Sequence, residues 1–150
     1  MLYLLLDAGS DTYAVATASL AGVVPCAALK SAPATPPAVA GILNFHGRPV
    51  PVVDCGLLLA GSPSRIRFST RIILTHIGIG DPRRTLGLMA ENVTDVRSFE
   101  ESDFVEPGAR ADGFPCAGRV AEFGGRWIQR LHAESILPPE VWASIEARDA

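Results

Sequence analysis

Residues 41–54 read GILNFHGRPVPVVD, and the two prolines near their end constrain the fold more than any other feature. Pro49 and Pro51 stand at alternate positions of a valine run. In an extended strand successive N–H groups point to opposite neighbours, so both missing donors fall on the same side. That side cannot complete a regular ladder. The strand must pair through its other side, or end at a barrel rim. Val50 and Val52 project to one face, Pro51 and Val53 to the other, so both faces are apolar and both need cover. A donor-poor edge resists stray pairing with other strands. It also suits the border of a docking surface for another protein.

The residues before the prolines read as a hairpin bend. Gly47 is expected at a positive φ, where any side chain is resisted. Asn44 and His46 flank the bend, and the Asn44 side chain is suited to hold it by bonding to backbone. Gly41 opens the first strand and predicts a close backbone approach there. The two strands span about 40–45 and 48–53.

The rest of the chain is strand-like and turn-rich. Fourteen glycines and twelve prolines are spread over 150 residues, which favours many short strands. Residues 2–6 and 12–18 predict a hairpin about the turn DAGSD at 7–11. The run 20–24 stops at Pro25. Residues 31–39 (SAPATPPAV) predict an extended link, because each proline also biases the residue before it away from helix. Asp54 is placed to cap a short helix over CGLLLAG, and 61–70 is polar loop. Residues 71–79 predict a strand, and 85–99 two strand segments with a kink. Residues 100–114 are acidic loop. The segments about Gly124 and Gly125 predict a last hairpin, and the tail from Pro138 an amphipathic helix with Pro139 in its first turn and Val141, Trp142 and Ile145 on one face. The length suits one domain, mostly β, as a pair of small barrels or a sandwich.

Chemistry is sparse. Cys26, Cys55 and Cys116 form no C-x-x-C pair, which disfavours a disulfide framework and points to a reducing cytoplasm. Cys55 at a helix start with His46 nearby in sequence is conceivable as a thiol pair. It leads into Leu57, Leu58 and Leu59, however, and a buried core cysteine is the simpler reading. His46, His76 and His132 have no metal-ligand spacing, and His76 reads as a core or edge residue. The stretch 78–81 (GIGD) has neither the lysine nor the helix of a phosphate loop and reads as a turn. Glu91, Asp95, Glu100, Glu101 and Asp103 read as a solvated face. A net charge of −3 with no basic stripe argues against nucleic acid; Arg65, Arg67 and Arg71, interleaved with Ile66 and Phe68, read as a solvated loop. No apolar run reaches the roughly 18 residues of a membrane span, and the apolar N-terminus lacks a positive region and meets Asp7 at once. The expectation is a soluble, cytoplasmic binding protein without cofactor or metal.

The ordered motifs resemble the CheW-like domain of bacterial chemosensory coupling proteins. YLLLDAGSDTYAV at 3–15 is similar to the family's opening strand, turn and Tyr–Ala strand. LAGV at 20–23 stands for its next apolar element, and Pro33, Pro36 and Pro37 for its proline-rich link. GILNFHGRPVPVVD is similar to its strongest signature, GLMAENVTDV at 87–96 to a later Gly-to-Val string, and 118–137 to its closing segment. The resemblance covers nearly the whole chain. It implies a single CheW-like domain over 1–150, folded as two intertwined five-stranded SH3-like barrels with short helices and a C-terminal helix. It implies a non-enzymatic adaptor whose partners are the regulatory domain of a CheA-type histidine kinase, the helical cytoplasmic tip of a methyl-accepting chemoreceptor seated in a groove between barrels, and other CheW-like modules. The setting implied is a cytoplasmic receptor array at the inner membrane, with no direct insertion into it.

Carried over by position, Leu20, Val93 and Val96 fall among apolar receptor-contacting residues, with ordinary core packing the alternative for the two valines. Gly41, Asn44, His46, Gly47 and Arg48 belong to the signature hairpin. The chain departs from the family pattern at four places. His46 replaces the signature arginine, Gly22 an acidic residue, Ala90 and Glu91 a Val–Asp pair, and Cys55 and Gly56 a Leu–Arg pair. Two charged contacts that steer docking are thereby absent. His46 would make such a contact pH-sensitive, or Arg48 would substitute for it. The departures point to an alternative pathway such as surface sensing. The competing readings are an adaptor that binds one partner or itself, and a thiol enzyme using Cys55.

Overall fold

A computed structural model describes residues 1–77, 84–93, 95–106 and 118–148, the side chains of 145–148 aside. The turn at 78–81, Thr94, Cys116, the Ile145 side chain and the later part of the acidic loop lie outside the described residues.

The chain runs β1 (Leu2–Ala8), β2 (Asp11–Ala16), β3 (Leu20–Pro25), β4 (Val39–Phe45), β5 (Arg48–Asp54), β6 (Arg71–Ile77), β7 (Arg84–Ala90), β8 (Val96–Ser98), β9 (Val120–Phe123) and β10 (Arg126–Arg130), then α1 (Ala133–Ile136) and α2 (Pro139–Arg148). The strands form two five-stranded sheets, ordered β8-β1-β2-β10-β9 and β3-β6-β7-β5-β4. The first is assembled from the two ends of the chain and the second from its middle, so the two lobes are intertwined.

Strand periodicity places three cores. Along β1, Tyr3 and Leu5 point into the interior of lobe one with Ala14, Phe99, Phe104, Ala121 and Ile128. The alternate residues Leu4, Leu6 and Ala8 face lobe two, as a period of two requires. In lobe two, Val50, Val52, Ile72, Leu74 and Met89 fill the interior, while Val53, Ile73, Leu88 and Ala90 face lobe one. The shared core between lobes is sealed by Ile136 and Val141 from the terminal helices and by Leu137 between them, with Trp142 packed against it. Of the expected apolar face of α2, Val141 and Trp142 are observed against this core, and Pro139 stands at the helix start. A backbone tie joins the lobes: Asp7 N–H donates to the Glu91 carbonyl at 2.8 Å, and Glu91 N–H to the Asp7 carbonyl at 3.2 Å.

The proline strand behaves as its sequence demands. β5 pairs with β4 along its whole length, from Arg48 opposite Phe45 to Val53 opposite Val39. On its other side it meets β7 only at Val52, Val53 and Asp54, past the prolines. The donor-poor stretch is left without a ladder, and both valine faces are covered by separate cores.

Two readings of the sequence need correction. Glu91 is not part of a solvated face: it is 8% exposed and accepts from Arg65 Nε at 3.1 Å, so burial comes with a partner. Over CGLLLAG the chain makes a single π-helical turn (Gly56–Ala60) with Cys55 at its cap position. The Asp54 carboxylate does accept the Gly56 N–H at 2.9 Å, but it equally binds Ser64, through N–H at 3.1 Å and Oγ at 2.6 Å. It ties the following loop down as much as it caps the turn.

Candidate docking surface

The β4–β5 tip is a two-residue hairpin turn. His46 has φ 51° and Gly47 φ 81°, the double positive φ that matches the twist of antiparallel strands. Gly47 N–H donates to Asn44 Oδ1 at 2.9 Å, so Asn44 holds the bend as expected. The Phe45 and His46 rings meet edge to face at 4.4 Å. Asn44, His46, Gly47, Arg48 and Pro49 are all exposed. The tip is thus a stiff projection carrying an imidazole and a guanidinium beside the strand edge that lacks donors.

Gly41 supports the tip from its base. Its φ is +152°, and a Cβ there would stand 2.7 Å from the Lys30 carbonyl and 2.8 Å from Leu29 Cβ. Lys30 and Ile42 exchange N–H···O bonds of 2.9 Å in both directions, so the segment just before the proline-rich link presses directly on β4. A register shift between Val39 and Gly41 marks a bulge. Gly41 is therefore a buried residue that lets the neighbouring segment approach the base of the tip.

The carried-over apolar residues separate. Val93 is 3% exposed and lies in the inter-lobe core, so it offers no surface in this conformation. Leu20 is half-buried against the same core. Val96 is 45% exposed on β8, an edge strand of lobe one. Gly22 stands in the open, with nothing within 4 Å of a Cβ built there. The site of the missing acidic residue is vacant, not filled by another side chain.

Beside Leu20 the two lobes leave a crevice of about 280 Å³ lined by Tyr3, Ser19, Thr75, His76, Arg130 and His132 among others. Leu20 pairs opposite Thr75, and Thr75 Oγ1 donates to the Ser19 carbonyl at 3.1 Å. Arg130 is fixed there by Glu101, with Nη1 to Oε2 at 2.9 Å, and stacks over the Phe104 ring at 4.7 Å. Burial alone would lower its pKa, but the bonds to Glu101 and Tyr3 outweigh this and raise it, so Arg130 is a permanent cation. His76, read from sequence as core or edge, is a half-buried wall of this crevice. Sequence reasoning missed the crevice because its lining comes from five separate stretches of chain. Phe68, which is fully exposed, and Ile66, 68% exposed, stand in the arginine-bearing loop that the sequence marks as solvated.

The catalytic alternative loses its geometry. Cys55 is buried in the inter-lobe core. His46 sits beyond the other end of the seven-residue β5, which alone spans roughly 20 Å at ~3.3 Å per residue. No pair forms between them. Among the described residues no cluster of His, Cys, Asp or Glu could hold a metal ion, and no helix is long and apolar enough to cross a membrane.

Two intertwined five-stranded lobes define the class: a double β-barrel module. The family model of the CheW-like domain matches residues 2–140, and the chain belongs to that family. Among solved structures it is similar to the scaffolding protein TtCheW from Thermoanaerobacter tengcongensis, with a TM-score of 0.81 over 93% of this chain and 89% of that one, at 18% identity. No curated protein matches.

Proposed function

We propose that this chain is a non-enzymatic coupling protein that links the cytoplasmic tip of a methyl-accepting chemoreceptor to the regulatory domain of a CheA-type histidine kinase. The observation that carries the reading is the β4–β5 tip. It is held in one conformation by Asn44 and braced at Gly41, yet its side chains face solvent. A preordered projection of this kind loses little freedom on docking. The inter-lobe crevice supports the second half of the reading. At about 280 Å³ it is below the size that encloses a drug-sized ligand, and far too small to swallow a helix. A helix would lie across it and place side chains into it, with Leu20 as the apolar lip. The protein works in the cytoplasm, in arrays of receptors.

His46 and the open site at Gly22 favour a pathway other than the usual motility one, such as surface sensing, because two steering charges are absent. Binding of the purified chain to the cognate kinase regulatory domain and to a receptor-tip fragment tests the function. Association with both at about tens of micromolar or tighter is expected, and absence of both overturns it. An adaptor restricted to one partner or to itself is separated by the same two assays together with sedimentation of the chain alone.

A further inference from the structure

The loop between β5 and β6 presents a feature that the hairpin tip does not explain. Between Asp54 and Asp81 the chain has no carboxylate, while Arg65, Arg67 and Arg71 fall within seven positions, in a protein of net charge −3. Ile66 is 68% exposed and Phe68 wholly so. A large aromatic held entirely in water is not packing.

The loop is also stiff. Its base is pinned by buried Ser64, whose hydroxyl donates to Asp54 Oδ1 at 2.6 Å. Its far end is pinned by buried Thr70. Arg67 N–H donates to Thr70 Oγ1 at 3.1 Å, Thr70 N–H to the Arg67 carbonyl at 3.0 Å, and the Thr70 hydroxyl to the Arg65 carbonyl. Val93 N–H donates to the Ser69 carbonyl at 3.0 Å, and Arg65 is tied to Glu91. The phenylalanine is therefore displayed by a framework.

We propose that this loop is a second protein-docking element, in which Phe68 plugs an apolar pocket edged by carboxylates on a globular partner domain, with Ile66 beside it and Arg67 on the rim. The inference rests on the coupling function proposed above, under which that partner is the kinase regulatory domain. Three observations favour this occupant. Phenylalanine and arginine around a rigid centre are the composition of interface anchors. A protruding knob needs a pocket, which a globular domain offers and the convex surface of a helical tip does not. The loop and the hairpin tip lie at opposite ends of β5, roughly 20 Å apart at ~3.3 Å per residue, so two partners can be held at once. An anionic membrane fits less well. Two apolar side chains are less than a single acyl chain, which itself anchors only marginally, and the net charge of the protein opposes approach.

Calorimetry of the full chain against the purified kinase regulatory domain tests the inference. Phe68→Ala is expected to weaken binding roughly tenfold or more, the range of an interface anchor, and Phe68→Leu to retain most of it. Arg67→Glu is expected to slow association several-fold, most at low salt. All three should melt with the wild type, since both side chains are exposed. Wild-type affinity in Phe68→Ala and Arg67→Glu overturns the inference and leaves the coupling function standing. A dependence on Phe68 seen only in co-sedimentation with phosphatidylglycerol vesicles also overturns it. A wild-type chain that binds neither the kinase domain nor the receptor tip removes the function and this inference together.

Discussion

The two lobes repeat one pairing scheme in different materials. In lobe one the neighbours β8-β1, β1-β2 and β10-β9 are antiparallel and β2-β10 is parallel. In lobe two β3-β6, β6-β7 and β5-β4 are antiparallel and β7-β5 is parallel. The hairpin β9–β10 thus corresponds to β4–β5. No repeat is visible in the sequence, because the two interiors are filled differently. Lobe one packs rings: Tyr3 lies 5.2 Å from Phe104 and 5.9 Å from Phe99. Lobe two packs aliphatic side chains along long ladders. The same barrel accepts either, since what each strand must supply is an inward apolar residue at every second position.

The corresponding hairpins differ at their turns. Both turns have two central residues at positive φ: Gly124 at 60° and Gly125 at 77°, His46 at 51° and Gly47 at 81°. Lobe one uses the residue without strain at both places. Lobe two keeps a histidine where its counterpart has glycine, at a cost of about 1–2 kcal/mol for a left-handed L-residue. Under the function proposed above, the difference makes His46 the residue of this turn to test as a contact.

The largest test of the comparison is in the interiors. Phe104→Ala is expected to cost about 3–5 kcal/mol and Leu74→Ala about 2–5 kcal/mol, read by urea denaturation. Because both lobes close on one shared core, each variant should lower a single cooperative transition. Two separated transitions in either would mean that the lobes fold independently.

A smaller effect is expected from exchanging turn residues. His46→Gly should stabilise the fold by about 0.5–1 kcal/mol while weakening partner binding. Gly124→His, at φ 60°, should destabilise by a similar amount. If His46→Gly leaves affinity untouched, the histidine is not a contact, and the asymmetry between the hairpins loses its meaning.

The smallest effect is in pH. Burial, and then the negative charge of Asp54, raise the Cys26 thiol above its ordinary value of 9.0. As pH rises past 9 the unfolded chain ionises first, so stability present below that pH is lost above it. Cys26→Ala should flatten the fall in melting temperature as the pH rises past about 9. An unchanged slope would show that the thiol is not differentially protonated. No lobe-one counterpart is expected to respond, since the effect arises from the lobe-two interior that Cys26 packs against.

The legible parts of the fold were those with local causes. The hairpins announced themselves through DAGSD, through His46 and Gly47, and through Gly124 and Gly125, because turn chemistry is decided within a few residues. The break between β7 and β8 was readable from β-branched residues and a kink. Glu91 was misread because its fate depends on Arg65, far away in the chain, and on the tie to Asp7. For Val93 the motif position left contact and core packing both open, and its neighbours in space favour core packing.

Local backbone geometry and alternation of apolar residues were therefore written in the order of residues, since each depends on contacts a few positions long. Prolines Pro49 and Pro51 belong here: their missing donors are a covalent fact, and the unladdered edge follows from it in any fold. Which lobe each strand joins, where the crevice opens beside Leu20, and that Phe68 stands free while Val93 is buried were decided only by tertiary packing. Those outcomes depend on which surfaces the other strands leave uncovered, and no short window of sequence contains that information.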